Sequence, residues 1–151
     1  MTGKGSLNHN SRKFHAKNTD PNRTHWNVEY CNEDIKDVYH ELFDDALKRY
    51  NDKQTRKDRK IDDYYEKIRS GKQEKLFHEV ILQIGDKDNM GSETMEGQLA
   101  AKILDEYMKG FQERNPTLRV FAAHLHLDEA TPHLHIDFIP YVTDWKGKGM
   151  D

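Results

Sequence analysis

Apolar positions recur at helical spacing over residues 33–51, where Ile35, Val38, Tyr39, Leu42, Phe43, Ala46, Leu47 and Tyr50 fall on one stripe. Asn32 is the expected N-cap, and Glu33 and Asp34 suit the positive end of the helix. A second, more polar helix is predicted over residues 55–69, stopping near Gly71, with a narrower stripe of Ile61, Tyr64, Tyr65 and Ile68. The pattern then changes to that of a strand over 75–84, through Val80, Ile81, Leu82 and Ile84. Gly85, Asp86, Asp88, Asn89 and Gly91 mark a turn. A third helix is predicted over 94–114, with Leu99, Ile103, Leu104, Tyr107, Met108 and Phe111 as its buried stripe and Asn115-Pro116 as its end. Two strands follow, at 118–127 and 133–142. The short connection from Leu127 to Pro132 makes them an antiparallel hairpin. Residues 1–30 have neither period and read as a short strand or loop lying over the rest. The whole of 1–151 is expected to be one domain, with 1–8 and 143–151 as flexible ends.

Composition narrows the class. Hydrophobic and charged residues each make up 34% of the 151 residues, a polar balance for one small core. No apolar run is long enough to cross a membrane, and no signal-peptide pattern is present. The single Cys31 excludes an internal disulfide and fits a reducing, cytoplasmic setting. A net charge of −3 argues mildly against a nucleic-acid binder, yet the charge is uneven. Residues 48–75 hold eleven Lys/Arg against six Asp/Glu, and residues 1–30 hold five against two. By composition the first of these reads as a solvated helix face, although a phosphate backbone needs only a local positive track.

Candidate chemistry concentrates in the hairpin, His124-Leu-His126-Leu-Asp-Glu129-Ala-Thr-Pro132-His133-Leu-His135-Ile-Asp137. Alternate residues of a strand share a face, so His133, His135 and Asp137 point one way and Leu134, Ile136 and Phe138 the other. On the preceding strand His124 and His126 share a face, opposite Phe121, Ala123 and Leu125. Antiparallel pairing then brings His126 beside His133 and His135, so that three imidazoles converge. Imidazole binds many divalent ions, and three neutral ligands leave positions open for water or a phosphate oxygen. His124 is either a supporting or a packing residue. Glu129 can be a fourth ligand, a base acting on a nearby histidine, or a solvated loop acid. Asp137 is either a group that orients a ligand or a polar residue of the sheet face, and Pro132 fixes the turn that delivers His133.

The run from His126 to His135 resembles the third motif of the Mob/Pre (MobV) plasmid mobilisation relaxases, which are His-hydrophobe-His endonucleases. Asn8-His9-Asn10-Ser11-Arg12 and Asp20-Pro21-Asn22-Arg23-Thr24-His25-Trp26-Asn27 resemble the first two conserved stretches, so the likeness covers residues 5–141. It implies an α+β fold, an antiparallel sheet flanked by helices. It also implies site- and strand-specific nicking of single-stranded DNA at an origin of transfer, in plasmid mobilisation or recombination, alongside other mobilisation proteins. By the same resemblance His126, His133 and His135 hold a divalent metal, Mn²⁺ first, with Mg²⁺ or Zn²⁺ as alternatives. His9 attacks and becomes joined to the 5′ phosphate, Arg12 lies close to that phosphate, and Glu129 is the acid that assists His9. His15 and His25 are weaker nucleophile candidates, and the tyrosines are set aside because they fall on helix stripes. Family relaxases run beyond their last motif, so the C-terminal part is expected to be truncated and DNA contacts from later segments missing. Two other readings stand beside this one: a DNA-binding module with a metal site but no cleavage, and a metallohydrolase acting on a small molecule.

Overall fold

The computed structural model of the chain describes residues 6–144 and the backbone of Thr2–Gly3. Five strands form one antiparallel sheet, β1 (Thr2–Gly3), β2 (Val28–Asn32), β3 (His78–Gln83), β4 (Leu118–His126) and β5 (His133–Pro140), in the order β1-β3-β5-β4-β2. Helices α1 (Leu7–Asn10), α2 (Ile35–Asp52), α3 (Tyr64–Ser70), α4 (Met95–Lys109) and α5 (Phe111–Arg114) cover it. The fold is therefore α+β with an antiparallel sheet. Among the described residues no helix is long and apolar enough to cross a membrane. The ends expected to be flexible fall largely outside the described residues, although Leu7 and Asn8 belong to α1.

The central hairpin β4–β5 pairs His124 with His135 and His126 with His133. Each cross-strand pair shares a face, so the histidines of both strands stand on one side. On the other side Val120, Ala123, Leu125, Leu134 and Ile136 pack with Ala101, Leu104, Met108 and Phe111 of α4 and α5. The histidine side is itself divided. Its lower half is apolar, with Phe121, Ala122 and Ile139 against Val38, Tyr39 and Ile68 of α2 and α3. Alternation places Phe121 opposite the histidines, and the structure corrects this. The register shifts between Val120 and Ala122, a bulge that turns Phe121 onto the same face as Ala122 and Ile139.

Other differences have local causes. Asn32 does not cap α2. It pairs with Ala122 as the last residue of β2, and Asp34 caps instead, accepting from the Lys36 N–H. The helix expected over 55–69 is a 3₁₀ turn at Lys57–Arg59 followed by the shorter α3. Asp63 caps α3 by accepting from Glu66 N–H, and Asn51 holds the connection through two hydrogen bonds to the Ile61 backbone. Ile68 is buried as expected, while Tyr64 and Tyr65 lie half-buried against Tyr39, one ring tilted and the other edge-on. The helix expected over 94–114 breaks at Gly110 into α4 and α5. Within α4, Leu99, Ile103 and Tyr107 are exposed, and the buried face is Gly97, Ala100, Ala101, Leu104 and Met108. At the start of that face only a glycine fits, because a Cβ at Gly97 would collide with the Gly91 carbonyl in the connection that leads into α4.

The strand order has a consequence for residues between β1 and β2. The chain starts at the β3 edge of the sheet and must reach the β4 edge. It crosses over the histidine face and lays α1 there, with the Asn10 carbonyl accepting from His126 Nε2 at 2.8 Å.

Candidate active site

The ligand nitrogens of His126, His133 and His135 lie within 4.8 Å of one another, and their ring centroids are 4.9–5.2 Å apart. Each ring is fixed by an acceptor on its outer nitrogen. His126 Nε2 donates to the Asn10 carbonyl, His133 Nδ1 donates to the Thr131 carbonyl at 2.9 Å, and His135 Nδ1 donates to Glu79 Oε1 at 2.8 Å. Those protons leave lone pairs on His126 Nδ1, His133 Nε2 and His135 Nε2. His126 Nδ1 and His133 Nε2 face each other at 3.4 Å, and buried His135 Nε2 has no protein hydrogen-bond partner. Facing lone pairs repel unless a cation or a shared proton lies between them. The donor set therefore fits a divalent ion that takes three imidazoles. Burial lowers the His126 pKa to about 2 and also lowers that of His133, so both rings are neutral and able to ligate at ordinary pH.

His124 shares the face but not the cluster. Its Nε2 meets Glu29 Oε2 at 3.1 Å on the neighbouring edge strand. His15 and His25 are exposed and belong to neither metal-competent grouping among the described residues. Of the stripe tyrosines, Tyr39, Tyr64 and Tyr65 sit in the aromatic packing of α2 and α3, where Tyr39 donates to the Leu76 carbonyl.

His9 stands beside the cluster, its ring centroid 5.9 Å from that of His126 and 6.4 Å from that of His135. Its Nε2 meets Arg12 Nη1 at 3.1 Å and Glu129 Oε1 at 3.3 Å. The guanidinium can only donate and an ionised carboxylate can only accept. The pair thus suits the same nitrogen either bare or protonated. Burial and then Arg12 lower the His9 pKa, against the opposing pull of Glu129. Glu129 is not a solvated loop acid. Its Oε1 also accepts from Arg12 at 2.9 Å and lies 3.7 Å from His133 Nε2, while its Oε2 accepts from Asn18 at 2.7 Å.

Three residues of this network were not singled out by sequence. Asp128, fully buried, grips Arg12 through both carboxylate oxygens. Burial would raise its carboxyl, but the hydrogen bonds and the charge of Arg12 outweigh this and bring it down to about 2. Asn10 is buried too. Its side-chain amide donates to Glu79 Oε1 at 2.8 Å and to Asp137 Oδ2 at 3.1 Å. Glu79, on β3 opposite Asp137, orients His135. Burial would raise Glu79, yet the His135 and Asn10 bonds bring it lower. Asp137 is pushed up to about 7 by burial and by Glu79.

The two N-terminal stretches gain a physical meaning from these contacts. Arg12 has φ 51°, the left-handed position that ends α1, with Lys13 N–H reaching back to the Asn8 carbonyl. That turn throws the guanidinium back over His9. Asn27 accepts from the Leu127 and Asp128 N–H groups, Thr24 donates to Asp128, and Arg23 donates to the Leu127 carbonyl. From the other side Ser92 donates through Oγ to the Glu129 carbonyl and through its N–H to the Ala130 carbonyl. The connection between β4 and β5 is therefore clamped on both flanks.

Comparison with known proteins places this arrangement. Among solved structures the chain is similar to the MobM relaxase domain (MOBV; Mob_Pre) bound to 22-nucleotide oriT DNA of plasmid pMV158 in Mn-bound crystals. At pH 5.5 the identity is 27% and the TM-score 0.55, covering 91% of this chain and 63% of that one. At pH 6.8, with a 3′-thiophosphate, the values are 25% and 0.51, covering 96% and 68%. The chain thus spans about two thirds of the length of these relatives. A comparison with curated proteins gives no match. The family described as plasmid recombination enzyme, Mob/Pre, matches residues 4–149. With nearly every residue inside that match, the chain belongs to the plasmid recombination enzyme (Mob/Pre) family.

Proposed function

We propose that the chain is a relaxase: it nicks one DNA strand at an origin of transfer, with a divalent metal, and keeps the DNA as a histidine–5′-phosphate adduct. The observation that carries the reading is the set of three bare imidazole lone pairs facing one another with His9 beside them. His126, His133 and His135 are the residues to hold the ion, and Mn²⁺ is the first candidate because the similar MobM structures are Mn-bound. When bound, such an ion supplies positive charge to the non-bridging oxygens of a phosphodiester.

The remaining steps belong to this chain's side chains. Arg12 donates to His9 Nε2, and its other N–H groups are held by the His9 carbonyl, Asp128 and Glu129, so an incoming phosphate oxygen would take over the N–H now given to His9 Nε2. As that exchange occurs the Nε2 lone pair is freed. It attacks phosphorus, the N–P bond forms, and the bond from phosphorus to the 3′ oxygen breaks. The 3′ oxygen leaves with the electron pair and takes a proton from water. Glu129, 3.3 Å from the same nitrogen, holds any proton that His9 acquires between turnovers and keeps the ring aimed.

The test is incubation with Mn²⁺ and a single-stranded oligonucleotide from the transfer origin of the element that encodes the chain. A covalent protein–DNA band on a denaturing gel is expected, and EDTA should remove it. Its absence with every divalent ion would sink the reading. The pH profile is a second check. Because the His9 pKa lies below the ordinary 6.5, the neutral nucleophile persists to mildly acid pH. Adduct formation at pH 6.5 should exceed half its value at about pH 8, then fall as His9 takes up a proton. A midpoint at or above 6.5 would contradict the low pKa.

Glu79 gives a test of the metal site itself. Its Oε1 accepts from both His135 and Asn10. Glu79→Ala should weaken Mn²⁺ binding by about 10- to 100-fold in calorimetry, the usual cost of removing an outer partner of a ligating histidine. Glu79→Gln keeps an oxygen at that point and should retain most of the affinity. Equal losses in both variants would show that charge, and not ring orientation, is what Glu79 supplies.

A further inference from the structure

Phe14 is half exposed, at 50%, although a buried site lies next to it. An exposed phenyl ring forgoes the burial that usually places it inside. Its ring centroid is 5.9 Å from that of His9, so it sits at the rim of the nucleophile's position. Residues Lys13, His15, Lys17 and Asn18 around it are exposed as well, giving an aromatic ring set among cationic and polar groups. The segment does not hang loose. Arg12 is tied to Asp128 and Glu129, Asn18 to Glu129, and the Asp20 N–H to the Asp128 carbonyl at 2.7 Å.

We infer that Phe14 is a stacking subsite for the base of the nucleotide next to the reacting phosphate. This rests on the relaxase reading and adds to it the residue that holds that base. A phosphate in reach of His9 brings the neighbouring base within a nucleotide's length of the Phe14 ring. Single strands offer unstacked bases to such rings, whereas a duplex keeps its bases stacked internally. Lys13 and Lys17 supply the backbone charge on either side. Stacking here is sequence-tolerant and splays the strand open at the nick.

The experiment is fluorescence anisotropy with fluorescein-labelled oligo(dT) of about 20 nucleotides and a labelled duplex of the same length, in EDTA to prevent cleavage. Phe14→Ala should weaken oligo(dT) binding by about 5- to 100-fold, the range for loss of one base–aromatic stack, and leave duplex binding unchanged. Phe14→Trp should bind as tightly as the parent, and Phe14→Leu as weakly as Phe14→Ala. The salt slope should stay the same in Phe14→Ala and fall by about one in Lys13→Ala. Unchanged oligo(dT) binding by Phe14→Ala, full binding by Phe14→Leu, or an equal loss on the duplex would each overturn the subsite while leaving the relaxase reading intact. Failure of the unmodified protein to bind oligo(dT) would instead strike the single-strand reading, and the subsite with it.

Discussion

His9→Ala is expected to remove the covalent DNA product by about a thousandfold or more, while Mn²⁺ binding changes little. The reasoning is geometric. His9 stands beside the imidazole triad, and the three ligand nitrogens of the triad are oriented by Asn10, Thr131 and Glu79 without its help. Removing the ring deletes the attacking nitrogen and leaves the cradle in place. Stability should hardly move, because His9 is partly exposed and its neighbours Arg12 and Glu129 keep each other as partners. Single-turnover gels and metal calorimetry on the same preparation separate the two effects. A large drop in Mn²⁺ affinity would assign His9 to the metal instead, since His9, His126 and Glu129 also form a compact donor group. Unchanged adduct would move the nucleophile elsewhere.

Asp128→Ala is expected to cost about 3–5 kcal/mol of folding stability, the range for breaking a buried ion pair by deleting one partner. The Arg12 side chain is only 8% exposed and that of Asp128 is fully buried, so the guanidinium would lose its main acceptor out of reach of solvent. Thr24 would lose its partner as well. The left-handed backbone at Arg12, which carries a strain of about 1–2 kcal/mol, would have less to hold it. Because the Asp128 carboxyl titrates near 2 in the folded protein, against an ordinary 3.8, its contribution is present above that ordinary value. It is lost as the pH falls toward 2. Urea titrations at neutral pH and at about pH 3 should therefore show a smaller gap between parent and variant at the lower pH. A loss below about 1 kcal/mol at neutral pH would mean that the N-terminal segment docks through other contacts.

The elements with strong periodicity were readable. Residues 118–127 and 133–142 were expected as strands and are Leu118–His126 and His133–Pro140; the helix expected over 33–51 is Ile35–Asp52. The convergence of His126, His133 and His135 was also readable, because a two-residue period and a short connection leave few alternatives. What was hidden depended on partners far away in sequence. Asp128 looks like any acid in a polar connection, and only the return of Arg12 makes it a buried anchor. Asn10 does its work through Glu79 and Asp137, 69 and 127 residues away. Glu79 did carry a signal: a carboxylate beside Val80, Ile81 and Leu82 in a central strand needs a paired group to be buried. The buried face of α4 is not legible from hydrophobicity, because the exposed Leu99, Ile103 and Tyr107 outweigh the buried alanines. The buried face instead carries Gly97, Ala100 and Ala101 beside Leu104 and Met108, and Gly97 is required where α4 meets the Gly91 carbonyl.

The offset in β4 at Phe121 lets a single sheet surface serve two neighbourhoods. Toward the chain start of β4 its side chains feed an oily interface with two helices. Toward its end they feed a polar, ion-ready pocket of buried imidazoles. The changeover takes one extra residue, which turns Phe121 toward the helices while His124 and His126 stay in register with His135 and His133. Val38 and Ile68 therefore meet the sheet through Phe121, Ala122 and Ile139.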